Sequence, residues 1–233
     1  MRTFAFAVLF LAYGLTGAAQ AQPALSEIPF WRASAGWWEG ENTYFKSDMS
    51  YQVRDYASIA HVEIDGTAYR ETEYRFYPHG TGTERYAGGL ATDGEGVELI
   101  QVYTGSLTDD AGTVDLPPGS GRASANGAGA TYKVLSDTDA VRLRVDPDKG
   151  TESYRYYVTL VGDGHRYKSN LGLLYEGDNV SGLRAFILYR EHRMDGAAFE
   201  ARRAALRAKY NVTVLNEPDA DAPDGWTISR IAK

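Results

Sequence analysis

Two side chains in the sequence could carry out proton transfer, Glu71 and His192. Both lie in segments where bulky and polar residues alternate, a pattern that predicts β-strands. If these strands belong to one barrel, both side chains could point into the same cavity. A carboxylate and an imidazole placed there could act as general acid and base on a bound molecule. We therefore predict Glu71 and His192 as candidate catalytic residues.

Motifs for other kinds of chemistry are missing from the sequence. The four histidines form no H-x-H or H-E-x-x-H pair, so we predict no metal site. There is no cysteine and no G-x-S-x-G motif, which argues against covalent hydrolases. The stretch "GTGTERYAGG" lacks the strand–turn–helix setting of a nucleotide-binding loop. The sequence therefore predicts no cofactor.

Tyrosine is abundant, with 17 residues, and most of them lie in predicted strands. High β-propensity explains many of them, because tyrosine commonly fills half-exposed positions in sheets. The alternative is a pocket with apolar walls whose hydroxyl groups orient an amphipathic or aromatic ligand. On that basis we predict six wall residues for a ligand site: Asn42, Tyr44, Gln101, Tyr103, Tyr157 and Arg184.

Charged residues occur on both faces of two predicted strands, 68–77 and 181–193, and the sequence leaves the inward face open. In 181–193 one face carries Arg184, Arg190 and His192. If this face lined the cavity, its cations could bind a carboxylate or enolate oxygen. The alternative, which we favour, is a solvated outer face with paired charges. A shift of one residue in strand register would exchange the two faces.

The candidate residues lie on a series of short predicted strands. Asp65-Gly66 favours a tight hairpin, and other turns rich in Gly, Asp and Asn separate the remaining segments. The predicted strands are 38–45, 57–64, 68–77, 97–107, 130–136, 140–145, 152–161, 165–176 and 181–193. Such a pattern is typical of an antiparallel up-and-down sheet. We predict an all-β barrel of about eight or more strands, because closure removes both sheet edges and leaves room for one small ligand.

Other segments depart from this strand pattern. A short helical turn is predicted just before the first strand, in "PALSEIPFWRASAG". Residues 115–130 are rich in Gly, Pro and Ser, which predicts a long loop over a barrel mouth or a disordered surface insertion. Residues 195–211 have the pattern of one C-terminal helix with Asp195 as its N-cap. The acidic tail "EPDADAPDGW" is predicted to be irregular.

The first residues have the pattern of a secretory signal peptide. A single early cation, an apolar run and the small residues Ala19 and Ala21 predict cleavage after Ala21. An uncleaved membrane anchor is the alternative, but the apolar run is short and ends in small residues. We therefore expect residues 1–21 to be removed and 22–233 to form a single domain. The expected location is the periplasm or the extracellular medium.

The formal net charge of -7 bears on the choice of partner. Acidic balance argues against nucleic acid and against anionic membrane surfaces as partners. After the signal segment no apolar run is long enough to span a bilayer, so we predict no stable membrane insertion. The sequence makes no prediction of an oligomeric state.

The stretch "FWRASAGWWEG" carries a family resemblance. A short turn followed by Gly36-Trp37-Trp38 at the start of the first strand resembles the Gly-x-Trp signature of lipocalins and the wider calycin group. The resemblance implies an antiparallel barrel with a C-terminal helix beside it. It also implies that an arginine of the last strand covers the tryptophan and bonds to the N-terminal backbone. Arg190 and Arg193 are the candidates for that arginine.

Three hypotheses for function follow from this reasoning. The first, in line with the lipocalin resemblance, is binding of a small hydrophobic or aromatic molecule inside the barrel. The second is a cofactor-free isomerase, cyclase or lyase in the same cavity, with oxyanion-stabilising tyrosine or arginine side chains. The third is a structural envelope protein with a filled barrel. Fold class does not decide between them, because one fold hosts many functions.

Overall fold

A computed structural model describes residues 22–45, 54–80, 86–118, 129–148, 151–176, 179–222 and 225–232. For a few strand positions only the backbone is described: 54–55, 144–148, 151–157, 174–176, 179–181 and 183–185. All of the described strands belong to one sheet, so the structure can be followed strand by strand.

Ten antiparallel strands close into a barrel, which confirms the predicted fold class. They are β1 (Gly36–Phe45), β2 (Arg54–Asp65), β3 (Ala68–Tyr77), β4 (Gly96–Leu107), β5 (Val114–Leu116), β6 (Ala130–Val134), β7 (Asp139–Asp148), β8 (Thr151–Gly162), β9 (His165–Glu176) and β10 (Asn179–Arg193). The order around the barrel is β4-β3-β2-β1-β10-β9-β8-β7-β6-β5. Two residue pairs between β4 and β5 close the ring, Ser106–Asp115 and Leu107–Val114.

One expectation about an irregular segment is wrong. Residues 114–116, partly within the predicted 115–130 loop, form β5, which pairs with β6 from Val114–Tyr132 to Leu116–Ala130. Two strands that the sequence did not predict flank the acidic tail, β11 (Val212–Pro218) and β12 (Trp226–Arg230), while the described residues between them, 219–222 and Gly225, are irregular as expected. β11 pairs in parallel with β4 outside the ring, so the sheet is not wholly antiparallel. The free edge of β4 supplies the backbone partners that β11 needs.

Strand alternation decides which side chains point inward. On β3 the odd-numbered residues from Tyr69 to Tyr77 face the interior, while Ala68 and Arg70 are exposed outside. On β10 the buried side chains are Ile187, Tyr189 and Glu191. Leu188, Arg190 and His192 are exposed and Phe186 is half-buried, so the face with the cations lies outside the barrel, as the favoured alternative predicted. The inner surface of the barrel is therefore polar as well as aromatic.

A short N-terminal segment closes one end of the barrel, here named the plug end. It consists of a 3-10 turn (Leu25–Glu27) and the helix α1 (Pro29–Ser34). The Leu25 amide donates to Gly66 O at 2.8 Å, and Trp31 Nε1 donates to Gly112 O at 2.8 Å. Its apolar side chains Leu25, Phe30 and Trp31 are buried, and Trp31 packs against Tyr69 and Tyr132 of the barrel. Backbone bonds and aromatic packing thus hold the plug in place.

The predicted contact between tryptophan and arginine is confirmed with Arg193. Its guanidinium lies 4.0 Å from the Trp38 ring and donates hydrogen bonds to the carbonyl oxygens of Ala33 and Ala35. Trp38 Nε1 donates to Ser34 O at 2.8 Å. Gly36 has φ of 109°, and a Cβ there would lie 2.5 Å from Arg193 Nη1. Only glycine tolerates both this backbone conformation and this close approach.

The C-terminal helix, α2 (Phe199–Lys209), lies against the outer face of β2 to β4. Asp195 accepts a hydrogen bond from the Ala197 amide at 3.0 Å and so caps a short 3-10 turn before the helix. Glu98, fully buried under the helix, accepts from Arg203 Nε at 2.7 Å and Arg207 Nε at 2.5 Å. In the described part of the chain, neither this helix nor α1 is long and apolar enough to cross a membrane.

Candidate functional site

Seven buried or nearly buried charged side chains meet inside the barrel, and we name them the ionic layer. Strand β3 supplies two carboxylates and a guanidinium, β7 a guanidinium, β9 two cations and β10 a carboxylate. The members are Glu71, Glu73, Arg75, Arg142, Arg166, Lys168 and Glu191. Their burial inside a barrel is unusual, because charged residues are rarely fully buried unless they are paired.

Arg166 and Lys168 hold the layer together across three strands. Arg166 Nε donates to Glu191 Oε2 at 2.5 Å, and its Nη1 lies 3.0 Å from Glu71 Oε1. Lys168 Nζ lies 3.2 Å from Glu191 Oε1 and 3.5 Å from Glu71 Oε1. Arg75 Nη2 donates to Glu73 Oε2 at 2.5 Å. The three carboxylates therefore each have a cation within contact distance.

These contacts fix the charge of the two carboxylates on β3. Burial raises the pKa of Glu71, but Lys168, Arg166 and Arg142 outweigh it and hold that pKa well below its usual range. Burial also raises the pKa of Glu73, but Arg75 and Lys168 lower it by more, so the net effect is a lowered pKa. Glu71 is therefore an anion at neutral pH with no proton to give, and its low pKa makes it a weak base.

A glycine on the neighbouring strand makes room for Glu191. Gly40 on β1 pairs with Glu191 of β10. A Cβ at residue 40 would lie 2.2 Å from Arg190 O and 2.7 Å from Glu191 Cγ. The carboxylate of Glu191 can approach the interior only because this position lacks a side chain.

Tyrosines surround the cations of the layer. The guanidinium of Arg142 lies 5.1 Å from the Tyr103 ring and 5.0 Å from the Tyr132 ring. Lys168 Nζ lies 4.8 Å from the Tyr189 ring. The Tyr69 hydroxyl donates to Glu71 Oε2 at 2.9 Å. Aromatic faces next to buried cations contribute to their stabilisation in addition to the ion pairs.

Small cavities adjoin the layer on two sides. One of about 10 Å³ is bounded by the plug residues Phe30 and Trp31 together with Arg166 and Lys168. Another of about 10 Å³ lies on the far side of the layer, beside Arg75, Tyr103 and Tyr189. Each has room for about one water molecule and has several polar neighbours. At these two places the described side chains therefore leave little more room than one water molecule needs.

An aromatic cluster lies at the barrel end opposite the plug. The rings of Tyr56 and Tyr77 stack at 4.6 Å, and those of Tyr77 and Tyr86 at 5.1 Å. Trp226, brought in by β12, is buried in the same group. The aromatic cluster consists of Tyr44, Tyr56, Tyr77, Tyr86, Tyr189 and Trp226, with Leu99 and Ile187 beside them. The ionic layer therefore lies between this cluster and the plug.

Some inner polar atoms near the cluster lack a hydrogen bond in the described structure. They are Asn42 Oδ1, Asn170 Oδ1 and the Tyr56 hydroxyl, all on residues that are at most 4% exposed. Asn42 Nδ2 does donate to Ser58 Oγ at 2.9 Å, which fixes that side chain. A buried polar atom without a partner is costly, so these atoms offer hydrogen bonds to water or to a bound molecule.

The structure does not bring the two predicted catalytic residues together. Glu71 belongs to the ionic layer inside the barrel, whereas His192 is exposed on the outer face of β10. The barrel wall therefore separates the carboxylate from the imidazole. The expectation that both point into one cavity is wrong, because the face of β10 that enters the barrel is that of Tyr189 and Glu191.

The predicted wall residues fall into two groups. Asn42, Tyr44 and Tyr103 point into the barrel, and Gln101 lies near them because its Oε1 accepts from the Tyr103 hydroxyl at 3.3 Å. The side chains of Tyr157 and Arg184 lie outside the described part of the structure. The placement of the first group is compatible with a ligand site, and the roles of all six residues stay predictions.

Sequence reasoning missed most of the ionic layer. One sequence pattern could have indicated it: two carboxylates at alternating positions of one strand and two cations at alternating positions of another. Glu71 and Glu73 alternate on β3, while Arg166 and Lys168 alternate on β9. On each strand these charged residues lie on a single face. If both faces point into the barrel, the carboxylates and the cations can neutralise one another.

Searches for known relatives add a structural likeness. No protein-family model and no curated protein matches this chain. Among solved structures, it is similar to "Crystal Structure of Rv2717c from M. tuberculosis", with a TM-score of 0.41 and 13% sequence identity. The match covers 73% of this chain and 96% of that chain. Among the described residues, no group of three or more His, Cys, Asp or Glu could hold a metal ion. Function must therefore be argued from the barrel interior itself.

Proposed function

We propose that this protein binds one small molecule inside the barrel, between the ionic layer and the aromatic cluster. The observation that carries the proposal is the set of buried polar atoms without partners, Asn42 Oδ1, Asn170 Oδ1 and the Tyr56 hydroxyl. A barrel filled only for stability would be better served by apolar residues, because buried ion pairs contribute little net stability. The inner surface instead combines aromatic walls with fixed polar groups, as ligand sites do.

The expected ligand is flat and amphipathic. Stacked rings such as those of Tyr56 and Tyr77 favour an aromatic or conjugated body. The polar end of the ligand would lie next to the ionic layer, at the place of the small cavity beside Arg75, Tyr103 and Tyr189. Since that cavity holds about one water, binding requires the aromatic cluster to separate, with Trp226 and Tyr86 moving aside.

A binding titration with 1-anilinonaphthalene-8-sulfonate, a fluorescent aromatic probe, tests this proposal. We expect saturable binding of one probe per chain. Tyr56→Phe removes only the hydroxyl and should weaken binding by about two- to tenfold. Tyr167→Phe is the matched control, because Tyr167 lies on the outer face of β9 and is 49% exposed. Binding that is absent, or equally affected by both substitutions, would contradict the proposal.

A second candidate function is a structural barrel without a ligand. It is favoured by the size of the two cavities next to the ionic layer, about 10 Å³ each. On this account the probe would not enter, and water alone would satisfy the inner polar atoms. The same titration distinguishes the two candidates.

A further inference from the structure

An apolar patch lies on the outer face of four consecutive strands, β7 to β10. The large side chains there are well exposed: Leu143 by 38%, Val158 by 41%, Leu160 by 45%, Tyr167 by 49% and Leu188 by 37%. An antiparallel sheet normally presents polar residues to water on its outer face. Exposed apolar patches of this kind mark interaction surfaces.

Strand register places these side chains next to one another in three rows. The first row contains Asp139, Leu160, Tyr167 and Arg190, and the second contains Val141, Val158, Ser169 and Leu188. The third contains Leu143, Leu171 and Phe186. With strands about 4.8 Å apart, the patch measures roughly 400 Å² once its side chains are included. A standard interface buries about 800 Å² on each partner, so the patch fits the apolar centre of such an interface.

The geometry points to a second copy of this chain as the partner of the patch. Consider two copies packed face to face, with a two-fold axis parallel to the strands and between β8 and β9. This axis exchanges β7 with β10 and β8 with β9. Leu160 then meets Tyr167 of the second copy, and Val141 meets its Leu188. Leu143 likewise meets Phe186 of the second copy, while Val158 meets its Ser169, so most of the facing pairs are apolar and the same patch serves both copies, as an isologous interface requires.

Charge complementarity supports the same arrangement. The two-fold axis places Asp139 of each copy opposite Arg190 of the other, so two identical ion pairs form at the rim. Arg190 is exposed and Asp139 half-buried, and neither has a salt bridge within the described chain. Within the described residues the Asp139 carboxylate accepts from the Ser136 hydroxyl at 2.6 Å, and its other oxygen has capacity for a guanidinium. Opposite charges that meet only in the dimer select this register over others.

Sedimentation equilibrium of the purified chain, from about 1 to 100 µM, tests the proposal over the Kd range of weak interfaces. We expect a reversible monomer–dimer equilibrium. Leu160→Glu should leave a monomer with unchanged thermal unfolding, since this side chain is exposed. Leu188→Glu is a second variant with the same expected result. Leu90→Glu is the matched control, because Leu90 is 37% exposed but lies outside the patch.

Charge reversal tests the register of the dimer. Asp139→Arg and Arg190→Asp should each raise the dimer Kd by about tenfold or more, because each creates repulsion between like charges. The double variant Asp139→Arg/Arg190→Asp should restore the Kd to within about threefold of the wild type, because it recreates the pairs in reverse. Failure of this rescue would overturn the proposed arrangement.

A wild-type chain that stays monomeric over the whole range would overturn the second copy as partner. The same conclusion would follow if a monomeric chain bound phospholipid vesicles, or another protein, through Leu160. A dimer that persists in both Leu160→Glu and Leu188→Glu would place the interface elsewhere and would also overturn the proposal.

Discussion

At the scale of single residues, the ionic layer is the feature that most distinguishes this barrel from a packed one. Each carboxylate in it contacts at least one cation, and Arg166 joins Glu71 to Glu191. Such a network is rigid only while every member keeps its charge. Removing one member should therefore leave an unpaired charge in a buried setting.

Glu71→Gln should destabilise the protein at pH 7 by about 3–5 kcal/mol, because it leaves Arg166 and Lys168 short of a partner. The pKa of Glu71 is lower in the folded protein than in the unfolded chain. Its contribution is therefore complete above the ordinary glutamate pKa of about 4.3 and is lost as the pH falls below that value. Urea unfolding at several pH values should show the difference from wild type shrinking below about pH 4.

The control for this substitution is Glu41→Gln. Glu41 is exposed and contacts Lys209 at 3.4 Å, so its loss should change stability by less than about 1 kcal/mol. A penalty for Glu71→Gln that is the same at pH 3 as at pH 7 would contradict the role assigned to its charge.

Single residues also mark the limit of sequence reasoning. The Gly36-x-Trp38 pattern implied the plug contact through its resemblance to lipocalins, in which an arginine of the last strand covers the tryptophan. No comparable sequence motif indicates that Glu71 and Lys168 meet inside the barrel. Their meeting depends on which face of β3 and of β9 points inward, and a shift of one residue would reverse it.

At the scale of elements, the plug and the helix α2 close the barrel in different ways. The plug fills one end with aromatic side chains, whereas α2 covers an outer face. Strands with clear alternation and tight turns, such as β3 and β9, were predicted with their observed bounds. β11 and β12 were missed because their pairing depends on the edge of β4, which lies far away in sequence.

Trp38→Ala should lower the free energy of unfolding by about 3–5 kcal/mol, because it leaves a cavity where a large buried ring was. Trp38 is 1% exposed and lies under the guanidinium of Arg193. Chemical unfolding measures the loss. The proposed ligand site lies on the other side of the ionic layer from Trp38. The free energy of probe binding should therefore change by less than the free energy of unfolding. An unchanged melting temperature with lost binding would show that Trp38 contacts the ligand.

The contact of α2 with the barrel should be cooperative. Arg203 and Arg207 both bind Glu98, which is completely buried. Either arginine alone can still neutralise the carboxylate, so we expect Arg203→Ala/Arg207→Ala to cost more than the two single substitutions added together. A double-mutant cycle by urea unfolding measures the excess. Lys209→Ala, at an exposed pair, is the control, and strict additivity would contradict the shared role of Glu98.

At the scale of the whole molecule, the barrel has a plugged end and an aromatic end, with charges between them. This arrangement was predicted only in outline. Strand number and turn chemistry indicated a closed barrel, but hydrophobic periodicity does not report what a barrel encloses. Which side chains line the interior can be determined only when the register of all ten barrel strands is known.

Export remains a prediction, since residues 1–21 lie outside the described chain. Protein isolated from the periplasm or medium of its own cells should begin at Gln22, as the residue pattern before it predicts. N-terminal sequencing measures this directly. A chain beginning at Met1 in the cytoplasmic fraction would contradict it.

The most direct test of the proposed function is native mass spectrometry of the protein purified without denaturation from its own cells. We expect a discrete non-covalent mass of one small molecule per chain, released by unfolding and reduced in Tyr56→Phe but not in Tyr167→Phe. A bare chain in every preparation, with no probe binding, would contradict ligand binding and favour the structural barrel.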